Sequence, residues 1–272
     1  MQPESESKMT SVLQRNNVQV KGEGPQTVIL AHGFGTDQTA WQRQQEALSE
    51  RYRLVLFDHV GAGGADPAAY SPHRYRSLYS YAADLLELLR ELQISQAIYI
   101  GHSMSAMIGL LAALQEPEHF AKMVFIGASP RYLNDEGYYG GFEQPELDAL
   151  YATMSSNYLA WVSGFAGLAM ENPERQELTA ELARTLGAIR PDIAVAVARL
   201  IYQSDYRVEL PRLRIPTLVI QTRHDIAVPV EVGEYLARQL PQAKLALIDA
   251  WGHFPHMSAP AAVNAALESF LH

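Results

Sequence analysis

Six short apolar runs, separated by segments with helical periodicity, constrain the fold of this chain most strongly. They are rich in β-branched residues and have the length of strands buried on both faces of a sheet. The runs are TVILAH (27–32), RLVLFD (53–58), AIYIGH (97–102), MVFIGA (123–128), TLVIQT (217–222) and KLALID (244–249). Between them, segments 79–92, 232–240 and 260–271 carry apolar residues at helical spacing. Strands that alternate with helices predict an α/β fold with a mostly parallel central sheet and helices on both faces.

This alternation is interrupted between residues 129 and 207, where three or four helices follow one another without a strand. The helical segments there are 142–170, 176–189 and 191–204. We therefore predict a core domain of residues 1–128 and 208–272, with a helical cap inserted at 129–207. The opening stretch VLQRNNVQVKG (12–22) does not fit the alternation and predicts the entry to an antiparallel hairpin.

The composition argues against several classes of protein. The 272 residues carry a formal net charge of −9, and no cluster of Lys and Arg offers the basic surface that nucleic-acid binding needs. The absence of cysteine removes disulfides, thiolate metal sites and cysteine nucleophiles. No window reaches the roughly 18 uninterrupted apolar residues of a membrane span, and the opening MQPESESKMT lacks the apolar stretch of a secretory signal. We therefore expect a cytoplasmic protein that does not bind membranes.

Ser103 lies at a junction between a predicted strand and a predicted helix, in the sequence Gly101-His102-Ser103-Met104-Ser105. This is the context of the G-x-S-x-G nucleophile elbow, in which a sharp turn exposes the serine hydroxyl at the carboxyl edge of the sheet. Here Ser105 replaces the second glycine, so the pentapeptide alone also fits a serine that caps the following helix. A nucleophilic serine further needs a base, a group that orients the base, and donors for the oxyanion.

The chain supplies such partners in the order Ser, Asp, His that this architecture uses. Asp225 follows the predicted strand 217–222, and His253 follows the predicted strand 244–249. Because the carboxyl ends of parallel strands meet at one edge of the sheet, both side chains are expected beside Ser103. We predict that Ser103, Asp225 and His253 form a catalytic triad.

Both positions have rivals in the sequence. Asp249 lies at the end of its strand, but the acid of this arrangement comes from the loop after the preceding strand, which favours Asp225. His256 follows His253 closely and fits a packing role under the terminal helix. Gly252, directly before His253, gives the backbone the freedom that an inward-reaching imidazole needs.

The backbone amides of Phe34 and Met104 are the predicted oxyanion hole. Phe34 belongs to AHGFG (31–35), which follows a predicted strand, and Met104 follows the nucleophile. The alternative for HGFG is a simple turn. The glycines of VGAGGAD (60–66) do not form the dinucleotide motif G-x-G-x-x-G, and no phosphate-binding loop or zinc spacing is present. We expect no cofactor and no metal ion.

These residues resemble the α/β-hydrolase superfamily, and more narrowly the group that contains the bacterial stress-response regulator RsbQ and the plant karrikin and strigolactone receptors. The resemblance extends from about Val18 to Leu271. The motifs that carry it are GHSMSAMIG, SPRYLND, YYGGFEQPEL, SNYLAWVSGFA, RPDIA, QSDYR, AVPV and GHFPHMSAP. Ser105 in place of glycine is also usual in that group, and the helical motifs are not shared by esterases at large.

The resemblance implies an α/β-hydrolase fold with a V-shaped four-helix cap over a mostly apolar pocket that has the triad at its floor. The pocket residues that it implies are Phe34, Phe142, Leu150, Phe165, Ala198 and Tyr202. From the sequence alone, the aromatic members of this set fit an ordinary core. Tyr202 departs from the Phe familiar in the plant receptors, and its hydroxyl is predicted to bind a polar substrate atom or to narrow the cavity.

The residues fit two main functions. The first is a cofactor-independent serine hydrolase that cleaves an ester or butenolide-type lactone bond of a small hydrophobic molecule. The second is a signalling protein that binds and slowly hydrolyses such a ligand and recruits a protein partner; the resemblance implies a phosphatase or an F-box protein. A third interpretation, a C–C bond hydrolase for aromatic ring-cleavage products, uses a similar triad but usually another cap. The resemblance favours a monomer.

Overall fold

A seven-stranded sheet forms the centre of the protein. The computed structural model describes residues 11–272, and its strands are β1 (Gln19–Lys21), β2 (Gln26–Ala31), β3 (Tyr52–Phe57), β4 (Ala97–His102), β5 (Phe120–Ile126), β6 (Thr217–His224) and β7 (Ala243–Trp251). The sheet order is β1-β3-β2-β4-β5-β6-β7, and every pair is parallel except β1 with β3. The predicted mostly parallel sheet is confirmed.

The predicted hairpin at the start of the chain is wrong in its pairing. Val12–Arg15 is a short helix, and β1 pairs with β3 rather than with the strand that follows it. The reason is that β3 and β4 occupy both edges of β2, so the outer edge of β3 is the one that remains for β1.

Helices cover both faces of the sheet. Within residues 11–272 they are α1 (Val12–Arg15), α2 (Gln42–Leu48), α3 (Leu78–Glu91), α4 (Met104–Gln115), α5 (Gln144–Ser156), α6 (Tyr158–Met170), α7 (Gln176–Gly187), α8 (Pro191–Tyr202), α9 (Val230–Gln239), α10 (Pro255–Ser258) and α11 (Pro260–Leu271). Side chains of β2 alternate between the two faces: Ile29 and Ala31 enter one core, and Val28 and Leu30 the other. The first core includes α3, α4 and α9, and the second includes α11.

Four successive helices, α5 to α8, form the cap between β5 and β6. Within it, α5 packs against α8, and α6 packs against α7. The domain boundaries at residues 129 and 207 stay a prediction. Residues 1–10, the opening segment MQPESESKMT that is used to argue against a secretory signal, lie outside the described residues. None of the helices within residues 11–272 combines the length and apolar character needed to cross a bilayer.

Helix α4 packs closely against the sheet because Gly109 faces Tyr99 of strand β4. A methyl group at Gly109 would lie 2.2 Å from Cε1 of Tyr99, whose ring is fully buried. The Tyr99 hydroxyl donates a hydrogen bond of 2.7 Å to the carbonyl of Ser105 in the first turn of α4, so the ring is fixed at both ends. This contact sets the distance between the sheet and α4, the helix that follows Ser103.

We predict that Gly109→Ala lowers the free energy of unfolding by about 1–3 kcal/mol, because the fixed Tyr99 ring forces α4 away from the sheet. Urea denaturation measures this change. The matched control is Gly164→Ala in α6, where an added methyl meets nothing within 4 Å; we expect no loss, or a gain of up to about 1 kcal/mol from helix propensity. Equal losses in both variants would contradict the packing argument.

Candidate active site

Ser103 occupies a strained turn between β4 and α4. Its backbone angles are φ 54° and ψ −120°, and residues other than glycine adopt such a conformation only when the surroundings enforce it, at a cost of about 1–3 kcal/mol. The Ser103 amide donates a hydrogen bond of 2.8 Å to the carbonyl of Ile126 at the end of β5. Small neighbours make room for the turn: a Cβ on Gly33 would lie 3.1 Å from the Ser103 Cβ.

Three side chains form a continuous hydrogen-bonded chain at this turn. His253 Nε2 lies 2.9 Å from Ser103 Oγ, and His253 Nδ1 lies 2.7 Å from Asp225 Oδ2. Because a carboxylate only accepts, the proton of the neutral imidazole belongs on Nδ1, which leaves Nε2 to accept the serine proton. The other oxygen of Asp225 accepts the amides of Ala227 at 2.8 Å and Val228 at 3.1 Å. The geometry is that of a nucleophile, a base and a group that orients the base.

The backbone of His253 is clamped from two sides. Its amide donates to the carbonyl of Ala169 in cap helix α6 at 2.8 Å, and its carbonyl lies 2.8 Å from His102 Nε2. Gly252 has φ +86°, and a Cβ there would lie 2.2 Å from the carbonyl oxygen of Met170. The glycine is therefore required both by its conformation and by the close approach of the cap.

The two rival residues lie elsewhere. The Asp249 side chain is 82% exposed and pairs with Arg223 at 3.4 Å. His256 is fully buried between Trp41 and His102, with ring centroids 4.5 Å from each. Neither residue contacts Ser103 through a hydrogen bond within the described part of the chain.

The amides of Phe34 and Met104 lie next to the Ser103 turn. Met104 is the first residue of α4, where helix geometry leaves the amide without an intrahelical partner. Among residues 11–272, neither the Met104 amide nor the Phe34 amide makes a protein hydrogen bond. Phe34 follows β2 and Met104 follows β4, and these strands are neighbours. Their role as oxyanion donors stays a prediction.

A cavity opens onto Ser103 and His253. Its other lining residues are Phe34, Tyr132, Phe165, Ile201, Tyr202, Ala227 and Phe254. Of the six predicted pocket residues, Phe34, Phe165 and Tyr202 line it, whereas Phe142, Leu150 and Ala198 do not. Phe142 lies one layer further out, with its ring 5.4 Å from that of Tyr202. Ala198 is fully buried in α8, and Leu150 packs against the core.

Tyr132 is the polar lining residue that the sequence motifs did not identify. Its ring lies 4.9 Å from that of Tyr202 in an edge-to-face arrangement. Burial raises the pKa of both phenols, so each keeps its proton and offers a hydroxyl donor to the cavity. SPRYLND contains Tyr132, but without the fold nothing in that motif distinguishes a pocket tyrosine from a core one.

Potential metal ligands lie at the opposite edge of the sheet. Among the described residues, the group of side chains close enough to share an ion is Glu116, Glu118 and His119, just before β5 begins. Arg90 already binds Glu116, with its Nε 3.0 Å from Oε2. These residues contribute nothing to the cavity at Ser103.

The comparison with known proteins decides the family. Residues 26–260 match the family described as alpha/beta hydrolase fold. The chain belongs to this family. The karrikin insensitive 2 receptor CA of Petunia hybrida is 45% identical over 265 residues, which cover 97% of this chain and 98% of the relative. The strigolactone esterase D14 of Arabidopsis thaliana is 44% identical over 252 residues, 92% of this chain and 94% of the relative.

The solved structure of a hydrolase agrees closely with this one. A hydrolase from Oleispira antarctica superposes with a TM-score of 0.92 at 35% identity, over 95% of each chain. The predicted α/β-hydrolase fold and the resemblance to the karrikin and strigolactone receptor group are confirmed by these comparisons.

We predict that His256 makes stability fall in acid. Burial, followed by the nearby His253 and Arg43, lowers the pKa of His256 from 6.5 to about 3. Below about pH 6.5 the unfolded chain therefore binds a proton at this residue, whereas the folded protein does not. As the pH falls, this site lowers the free energy of unfolding by up to about 1.4 kcal/mol per pH unit.

Urea denaturation of the wild type and of His256→Gln between pH 8 and pH 4 measures this effect. The variant should show a shallower decrease below about pH 6.5 and a parallel curve above pH 7, where the imidazole is neutral in both states. Parallel curves throughout the range would contradict the assignment. The comparison uses slopes, so a constant cost of the substitution does not affect it.

Proposed function

We propose that this protein is a cofactor-independent serine hydrolase that cleaves an ester or butenolide-type lactone bond of a small hydrophobic molecule. The observation that carries the proposal is the unbroken hydrogen-bonded chain from Ser103 through His253 to Asp225 at the wall of a largely apolar cavity. Relatives named strigolactone esterase and karrikin insensitive 2 receptor support a small-molecule ligand.

In the first half of the proposed reaction, Ser103 Oγ attacks the carbonyl carbon while His253 Nε2 takes its proton. The imidazolium that forms is stabilised by the Asp225 carboxylate, and the carbonyl oxygen becomes an oxyanion held by the amides of Phe34 and Met104. When the tetrahedral intermediate collapses, the bond to the leaving oxygen breaks and His253 returns the proton to that oxygen. In a lactone the leaving oxygen stays attached to the acyl group.

In the second half, His253 removes a proton from a water molecule that attacks the ester carbon of acylated Ser103. The second tetrahedral intermediate collapses with protonation of Ser103 Oγ, which restores the enzyme and releases the carboxylic acid. No step needs a metal ion or a redox cofactor.

The cavity lining limits the substrate. Aromatic rings of Phe34, Phe165 and Phe254 favour an apolar body, and the hydroxyls of Tyr132 and Tyr202 favour a ligand that carries a polar atom. We propose that Tyr202, where the plant receptors commonly have Phe, sets a ligand preference different from theirs.

A signalling role is the second candidate, because relatives at 44–45% identity are named as receptors. In that case the same triad turns over slowly, and ligand binding changes the cap so that a protein partner, of phosphatase or F-box type by family resemblance, is recruited. For either role, we also propose a cytoplasmic location and a cap that is bounded by residues 129 and 207. Turnover rate separates the two roles.

We predict that the purified protein hydrolyses short-chain p-nitrophenyl esters and a synthetic butenolide, and that Ser103→Ala lowers kcat by at least about 1,000-fold because the nucleophile is lost. Intact mass spectrometry should detect an acyl adduct on the wild type and none on the variant. The control is Ser163→Ala, an exposed serine of α6 outside the cavity, which should retain wild-type kinetics.

Many turnovers per minute would support an enzyme. Single-turnover acylation of Ser103 would support the receptor role. Hydrolysis that persists at the wild-type rate in Ser103→Ala would rule out the mechanism for both roles.

A further inference from the structure

Three buried polar side chains, His32, His59 and Ser105, form a cluster directly beneath the Ser103 turn, which we call the sub-elbow cluster. Their exposed fractions are 1%, 4% and 0%. None of them contacts the Ser103–His253–Asp225 chain through a side-chain hydrogen bond within the described residues. Ser105 stands where the general motif has glycine, which would bring no hydroxyl to this place. Burial of three polar side chains demands hydrogen-bond partners.

The hydrogen bonds of the sub-elbow cluster have a single consistent direction. Ser105 Oγ donates to the carbonyl of His32 at 2.5 Å and therefore accepts from His59 Nε2, which lies 2.7 Å away. The backbone amide of His59 donates to His32 Nε2 at 3.0 Å, so the His32 proton lies on Nδ1 and is donated to the carbonyl of Gly33 at 2.9 Å. Each donor finds an acceptor, and the cluster closes on itself.

The charge state of His59 supports this direction. Burial, and then the neighbouring His32, lower the pKa of His59 well below its usual value, so the ring is neutral and carries one N–H. The His59 ring is held edge-on by Phe57 and Tyr81, with centroids 5.1 Å and 5.6 Å away. A fixed ring with one N–H gives Ser105 a defined donor.

The sub-elbow cluster connects the two segments that carry the predicted oxyanion donors. His32 follows β2 and precedes Phe34 by two residues, and Ser105 comes directly after Met104 in the first turn of α4. The bond from Ser105 Oγ to the His32 carbonyl therefore ties one amide-bearing segment to the other. The Tyr99 hydroxyl supports the same turn from below, through its bond to the Ser105 carbonyl at 2.7 Å. An oxyanion hole works only when both amides point at one position.

We propose that Ser105 is a positioning residue that holds the amides of Phe34 and Met104 at the separation needed to bind one oxyanion, with His59 fixing the direction of its hydroxyl. This inference rests on the proposed function, because it assigns Ser105 to the same reaction. It also explains why Ser105 stands where the general motif has glycine: its hydroxyl joins the segment that carries Phe34 to the segment that carries Met104.

The test uses Ser105→Ala with a p-nitrophenyl ester. Removal of one oxyanion donor costs about 100- to 1,000-fold in kcat, so a misplaced donor should cost about 10- to 100-fold, with KM changed by less than about 3-fold. His59→Leu, which removes the donor to Ser105, should reproduce the loss. His59→Gln keeps an N–H at a similar distance and should recover most of the lost kcat.

A second readout separates positioning from a merely structural role. Ser103 Oγ adds to the carbonyl carbon of a trifluoromethyl ketone, the serine proton passes to His253, and the carbonyl oxygen becomes an oxyanion. The corresponding alcohol binds without forming an oxyanion. Ser105→Ala should weaken binding of the ketone in parallel with kcat/KM and leave the affinity for the alcohol unchanged. Inhibition constants against the ester measure both.

The matched control is Thr217→Val. The Thr217 hydroxyl is also buried and donates to a backbone carbonyl, that of Ile215 at 2.9 Å, but it lies at the amino end of β6, away from the cavity. This variant should lose stability to a degree similar to Ser105→Ala and keep wild-type kinetics and ketone affinity.

The outcomes distinguish this inference from the proposed function. Ser103-dependent hydrolysis by the wild type together with unchanged kcat and ketone affinity in Ser105→Ala would overturn the role of Ser105 and leave the hydrolase intact. Equal weakening of ketone and alcohol binding would make Ser105 structural and would also overturn the inference. A wild type without Ser103-dependent hydrolysis would overturn the proposed function, and the inference with it.

Discussion

The hydrogen bond between His253 Nε2 and Ser103 Oγ, at 2.9 Å, is the interaction on which the rest of the site depends. It joins residues 150 positions apart in the chain, so local structure cannot make it. The parallel sheet makes it, because β2, β4, β6 and β7 all end at one edge of the sheet. The loops that follow these strands therefore meet at that edge. The helices that cover both faces hold these strand ends in register.

Several parts of the surrounding structure hold the strained Ser103 turn at this edge of the sheet. The turn is held by the carbonyl of Ile126 on β5, by the close approach of Gly33, and from below by Ser105. His253 is held separately, by Ala169 of the cap and by the His102 ring. Cap helix α6 therefore contacts the backbone of His253 directly.

The sequence predicts the sheet well because buried parallel strands are continuous apolar runs, and all six runs became strands within a few residues of their predicted bounds. It predicts the relation of Ser103, Asp225 and His253 because topology alone brings them to one edge. It fails at β1, where the pairing depends on which sheet edge is free. It also fails to show that Tyr132 lines the cavity and that Phe142 lies behind Tyr202, because the packing of the cap decides which side chains reach the cavity.

Labelling with an organophosphorus fluoride tests the central claim most directly, because it reports the nucleophile and its base without requiring a natural substrate. In this reaction Ser103 Oγ displaces fluoride from phosphorus as His253 takes the proton. We predict one adduct on Ser103 in the wild type, labelling slowed by about 100-fold or more in His253→Gln, and near wild-type labelling in His256→Gln. An adduct at another residue, or equal labelling of Ser103 in His253→Gln, would contradict the account.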